Sequence, residues 1–240
     1  MSKVKAMLLS AVVVCVLGVA PSVASAFPGP FYHVAGAKIG STAKELTISI
    51  KSGTTMKLNT EHLGVAIEAV CKAVKAETAV FFNASLQGES EMKSLVFGEC
   101  TVAKPAAGCS VTGGGFTTRP IYSFLDYETN PEPNRTKITT YFRPTKEEEF
   151  AVVQLGGLLC SGTYKVTGSV VANNSPERTE AKELELTFPS TPITRTWDTV
   201  AGEKFKEYSA GLEIEKKPAV LSGSIIANMV SGEKFGVYDE

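Results

Sequence analysis

Leu184-Glu185-Leu186-Thr187-Phe188 alternates apolar and polar residues one by one. Side chains on a strand point to opposite faces in turn, so this pattern predicts a strand with one buried and one wetted face. Leu46-Thr47-Ile48-Ser49-Ile50 and Gly211-Leu212-Glu213-Ile214-Glu215 repeat it. Val80-Phe81-Phe82, Leu95-Val96-Phe97, Ile138–Phe142, Phe150–Val153, Tyr164–Val171 and Val220–Ile226 are β-branched or aromatic runs. Gly, Pro and Asn clusters separate them, as in Asn130-Pro131-Glu132-Pro133-Asn134 and Pro189-Ser190-Thr191-Pro192. The expectation is an all-β fold built mainly of antiparallel strands, a β-sandwich in preference to a β-barrel-like closure. Little helix is expected after the N-terminal segment.

One segment is ambiguous. His62–Ala76 carries apolar residues at helical spacing, yet Val65, Ile67, Ala69 and Cys71 also fit a strand with Glu68 and Lys72 on its polar face. A strand over 64–72 agrees better with the rest of the chain. A shorter signal is an internal echo: Val166-Thr167-Gly168-Ser169-Val170-Val171-Ala172-Asn173 resembles Leu221-Ser222-Gly223-Ser224-Ile225-Ile226-Ala227-Asn228. A second echo, Gly202–Phe205 with Gly232–Phe235, has a different offset, so no repeat array is indicated. Similar edge-and-turn geometry selecting similar residues is the preferred reading of both echoes, and the first also hints at two strands in equivalent sheet positions.

The N-terminus reads differently. Lys3 and Lys5 precede an uncharged apolar run from Ala6 to Ala20, and Pro21 and Ala24-Ser25-Ala26 follow. This is the layout of a secretory signal peptide, with cleavage expected after Ala26. The run is shorter than the roughly 20 residues a membrane span needs. Residues 27–240 then form a single secreted β domain, with a soft internal boundary near 176–194. No transmembrane segment is expected in it. Losing Lys3 and Lys5 takes the formal net charge from −1 to −3. This balance gives no electrostatic case for nucleic acid or anionic lipid.

Cys15 lies inside the apolar run and leaves with the signal. Cys71, Cys100, Cys109 and Cys160 remain, an even number in an exported chain, and predict two disulfides. Three pairings are possible. Cys100–Cys109 across the Pro105–Gly108 turn, with Cys71–Cys160, is preferred.

Chemistry-bearing motifs are scarce. No G-x-S-x-G, H-E-x-x-H or calcium-loop pattern occurs. His33 and His62 are the two histidines, read as exposed polar residues, the first near a loose chain end. Asp126, Asp198 and Asp239 are the aspartates, too few to suggest a calcium site. No catalytic residue, metal site or cofactor is assigned. Glutamates abound, so the carboxylate pair of a glycosidase is always available in principle. Most of them, such as Glu183, Glu185, Glu213 and Glu215, alternate with apolar residues, and Glu147-Glu148-Glu149 reads as a solvated turn. Trp197, Tyr122 and Tyr127 are the candidates for stacking on a ligand, though aromatics fill cores first. Asn83-Ala84-Ser85, Asn134-Arg135-Thr136 and Asn173-Asn174-Ser175 match the N-glycosylation pattern.

Leu95–Val102, Cys109-Ser110-Val111, Phe116–Pro120, Phe150–Cys160 and Gly162–Val170, taken in order, resemble a set of uncharacterised secreted proteins of high-GC Gram-positive (actinobacterial) soil bacteria. The resemblance covers about residues 56–175 and the ending Leu221–Gly236. It implies a secreted, cysteine-paired β protein and carries over no catalytic residues. The function expected is a non-catalytic secreted or cell-envelope module acting through surface binding or a structural role. Its partner would be a cell-wall or extracellular glycan or a protein. The alternatives are a carbohydrate-active enzyme using paired Glu residues, or a glycan-binding module.

Overall fold

The computed structural model describes residues 29–62, 64–84, 87–105, 108–128, 137–146, 149–158, 160–198 and 206–239. The expected signal peptide, its cleavage site, Glu147, Glu148, Gly202–Phe205 and the Asn134 acceptor lie outside them.

Among the described residues the chain forms β1 (Phe31–Val34), β2 (Ala37–Lys38), β3 (Lys44–Ile50), β4 (Met56–His62), β5 (Val65–Asn83), β6 (Gly88–Lys104), β7 (Ser110–Val111), β8 (Phe116–Thr118) and β9 (Ile121–Tyr127). It continues with β10 (Ile138–Pro144), β11 (Glu149–Gly156), β12 (Gly162–Ser175), β13 (Glu183–Phe188), β14 (Arg195–Asp198), β15 (Lys206–Ser209), β16 (Gly211–Ile214), β17 (Lys217–Met229) and β18 (Phe235–Tyr238). The described helical content is one 3-10 turn, Thr112–Gly114. The all-β expectation holds, and the ambiguous stretch 64–72 is the first part of strand β5.

The pairings close on themselves, so within the all-β class the barrel-like alternative describes the molecule better than a two-sheet sandwich. One ring runs β12–β13–β17–β3–β5–β6–β9–β10 and back to β12. A second runs β12–β16–β17–β4–β5–β6–β8–β11 and back to β12. Every pair is antiparallel. The long strands β5, β6, β12 and β17, with 19, 17, 14 and 13 residues, belong to both rings. The molecule is therefore a two-storey barrel. Four staves run its full height and four are broken at the waist, as β3/β4, β8/β9, β10/β11 and β13/β16. Period-2 patterning tells inside from outside but not whether a sheet closes, which is why the sequence favoured the sandwich.

The breaks have local causes. Between β3 and β4 the chain makes a turn at Ser52-Gly53. Pro120 and Pro144 stand at the other two sequential breaks, where a residue without an N–H cannot continue a ladder on both sides. After β13, Pro189 and Pro192 take the chain off the wall, and it returns at Gly211.

The internal echo is explained at the same level. β12 and β17 both flank β13 above and β16 below. Gly168 and Gly223 are the corresponding glycines, with φ of +99° and +128°. A Cβ on Gly168 would lie 2.0 Å from the Gly211 carbonyl oxygen, and one on Gly223 would lie 2.4 Å from that of Thr55. The shared glycine lets a full-height strand change neighbours while another backbone passes close by.

Inward-facing residues of both storeys form one continuous core, including Phe81, Leu125, Phe142 and Ile225 above and Ile67, Phe97, Val153 and Ile214 below. Outward positions carry Lys72, Lys75, Lys93, Glu99 and Lys165, all exposed. A membrane-spanning barrel has the reverse arrangement. A small sheet, β18–β1–β2, closes the upper end. Tyr32 packs edge-on against Phe81, with ring centroids 4.8 Å apart. Asn83 ties this cap to the barrel: its side-chain oxygen accepts from the Tyr32 N–H at 2.8 Å, and its amide donates to the carbonyls of Tyr32 and Ile39.

The two disulfides are present with a different pairing: Cys71–Cys100 and Cys109–Cys160. The expected Cys100–Cys109 hairpin does not form because β6 continues to Lys104 and β7 pairs with β11 instead of β6. Cys100 is thereby left opposite Cys71. Disulfides form in oxidising compartments, which agrees with a life outside the cytoplasm.

Candidate functional site at the barrel waist

The three aromatic candidates separate. Tyr127 is 1% exposed, so it offers no face to a ligand; its hydroxyl donates to Asp239 Oδ1 at 3.0 Å and helps hold the chain end. Trp197 is half-buried on β14, opposite Tyr127 in β9. Tyr122 is half-buried on the outer wall, with the Arg143 guanidinium carbon 5.3 Å from its ring centroid. Tyr122 also flanks a satellite cluster of Phe124, Tyr141 and Val171, against which Tyr208 of the β14–β15 hairpin packs. Phe124 and Tyr208 have ring centroids 5.0 Å apart, and the Tyr141 hydroxyl donates to the Ser209 carbonyl. These rings fasten the hairpin to the barrel wall, an ordinary packing task.

Below Tyr122 the wall is interrupted. β8/β9 and β10/β11 lie side by side, and both break at an Arg-Pro dipeptide, Arg119-Pro120 and Arg143-Pro144. Ile121 pairs with Pro144 and Tyr122 with Arg143, which brings the breaks level. The Thr145 N–H donates to the Pro120 carbonyl at 2.9 Å, and the Thr145 hydroxyl donates to it at 3.0 Å. Arg119 donates its own N–H to the Phe150 carbonyl. The result is an outward cleft of about 470 Å³ lined by Arg119, Pro120, Pro144, Thr145 and Lys146. Beside it Glu149, with a side chain 12% exposed, accepts from Arg119 Nε at 2.7 Å and lies 3.6 Å from Lys165 Nζ. Arg119, Arg143 and Lys146 were not among the residues singled out by sequence. The recurrence of Arg-Pro at the ends of two neighbouring apolar runs was the available signal.

The cavities described inside the barrel or against its core, such as that between Tyr32, Ser90, Thr140 and Phe142, have room for about 20 Å³. That is near the size of a single water site. Ser90 and Ser123 share a hydrogen bond there, and Thr140 donates to Asn174 Oδ1 at 2.9 Å, so these buried hydroxyls are satisfied within the wall.

The other candidates take up structural places. His33, expected at a loose end, is held in β1 with its ring 4.5 Å from that of Tyr238. Burial pushes the Glu185 carboxyl up. Hydrogen bonds from Lys51, Ser224 and Thr187, with the Lys51 charge, outweigh this and hold it below the usual carboxylate range. A glycosidase general acid needs the opposite displacement. Asn83 is 4% exposed and its amide is engaged, so this acceptor pattern marks a structural residue. Among the described residues no group of His, Cys, Asp and Glu is placed to hold a metal ion. No described helix is long and apolar enough to cross a membrane.

No protein-family profile matches the chain, and no curated protein or solved structure is significantly similar to it.

Proposed function

We propose that the protein is exported, loses residues 1–26, and works outside the cytoplasm as a non-catalytic module that binds through its outer wall, with the waist cleft as its site. The observation that carries this reading is the contrast between inside and outside. Side chains of both storeys pack into one core, and the cavities described against it have room for about 20 Å³, whereas the wall carries a cleft of about 470 Å³. That volume is within the roughly 300–1,000 Å³ typical of small-molecule sites. Two disulfides and two closed rings of strands supply the rigidity that display of a fixed surface requires.

The test is a panel of envelope and extracellular glycans and proteins, scored for retention of the mature protein and for hydrolysis. Retention without turnover is expected. Turnover that disappears when one Glu is changed to Gln would establish the carbohydrate-active alternative instead.

A further inference from the structure

Resting on the surface-binding reading, we infer that the waist cleft takes an acidic polysaccharide strand. Arg119, Arg143 and Lys146 hold its anionic groups, and Pro120, Pro144 and Tyr122 supply apolar surface to its sugar rings. Three observations converge on this chemistry. First, no carboxylate lines the cleft among the described residues, while Arg119 and Lys146 both do. Arg143 and Lys146 are exposed, and the Arg119 side chain stays 53% exposed despite its pairing with Glu149. This concentration of cations stands on a protein whose overall balance is mildly acidic. Secondly, Arg143 rests over Tyr122, 5.3 Å from the ring centroid. A guanidinium stacked in this way keeps a planar fork of donors suited to a carboxylate or phosphate. Thirdly, the strands around the cleft have partners on both sides: β8 lies between β6 and β11, and β10 between β9 and β12. A peptide therefore finds no open ladder there to extend. A stiff polymer of rings bearing spaced charges needs only side-chain donors and an apolar floor.

The anionic group can be a uronate or a backbone phosphate, and the experiment separates them. Immobilised polygalacturonate, a phosphodiester-linked hexose polymer, neutral dextran and poly-glutamate are offered to the mature protein at low and moderate salt. Binding to one or both acidic non-peptide polymers is expected, weakening several-fold as salt rises. Dextran and poly-glutamate should bind at least tenfold more weakly. Lys146→Gln, at an exposed position, should reduce binding several-fold without altering the fold, and the double variant Arg119→Gln/Lys146→Gln should reduce it tenfold or more. The inference is overturned by equal binding of dextran or poly-glutamate, by no binding of either acidic polymer, or by an affinity insensitive to Lys146→Gln and the double variant. If envelope material retains wild type and the double variant equally, the surface-binding reading stands and the cleft assignment falls. If nothing on the panel retains the wild type, the surface-binding reading itself falls.

Discussion

Cys71 and Cys100 stand directly opposite one another in the β5–β6 hairpin, their Cα atoms 3.9 Å apart, with both side chains inside the lower storey. The bridge staples the two longest staves at the level where Met56 of β4 pairs with Cys71. Non-reducing peptide mapping of the native protein should recover Cys71 joined to Cys100 and Cys109 joined to Cys160. Closing a chain segment with a separation of 29 residues is worth roughly 3.5 kcal/mol in the chain-entropy model. The Cys71→Ala/Cys100→Ala variant should lose stability of about that size in urea unfolding.

Gly168→Ala and Gly223→Ala should each destabilise the protein by about 3 kcal/mol or more, because the new methyl group meets a neighbouring backbone carbonyl and the backbone conformation is one L-residues avoid. Gly53→Ala is the control. Its φ is +75° but its surroundings are open, so only the conformational cost of about 1–2 kcal/mol is expected. Chemical denaturation of the three variants measures the difference.

Asn83→Ala should cost about 2–4 kcal/mol, since it strands the N–H of Tyr32 and the carbonyls of Tyr32 and Ile39 around the upper rim. The loss should be local first. Hydrogen exchange ought to quicken in β1 and β18 before it does in β5 or β6, and unchanged exchange in the cap would contradict this role.

The Lys51–Glu185 pair gives a pH dependence of known sign. The Glu185 carboxyl is held below its usual range in the folded protein, so the folded state favours its ionised form. Its contribution is complete above the unfolded carboxylate value of about 4.3 and is lost as pH falls below it. Glu185→Gln should therefore be less stable than wild type at pH 7, and the two should converge towards pH 3. The gap will be modest, because Lys51 is 44% exposed and solvent screens the pair.

Much of the wall was legible in the chain. Leu184–Phe188, Leu46–Ile50 and Tyr164–Val171 all lie in strands because alternation reports which face is buried. Closure was not legible, since it depends on β6 meeting β9, a pairing no local pattern encodes. The Cys71–Cys100 bridge had a readable signal: each cysteine lies twelve residues from the Asn83–Gly88 pair that ends the hairpin. It is obscured because Val80–Phe82 and Leu95–Phe97 read locally as short separate strands, although they lie within β5 and β6. Of the stacking candidates, Tyr122 is placed beside the cleft and Tyr127 faces inward, because odd and even positions of β9 take opposite sides. The cleft cations were hidden because an Arg-Pro dipeptide reads as an ordinary strand end until two of them are brought level across paired strands.

A hydrogen-exchange footprint of residues 27–240 with and without the acidic polysaccharide proposed as the ligand tests the account most directly. Protection concentrated at 119–122 and 143–146, with the cap and the lower rim unchanged, is the predicted result. Protection at an end of the barrel with none at those two segments would contradict it.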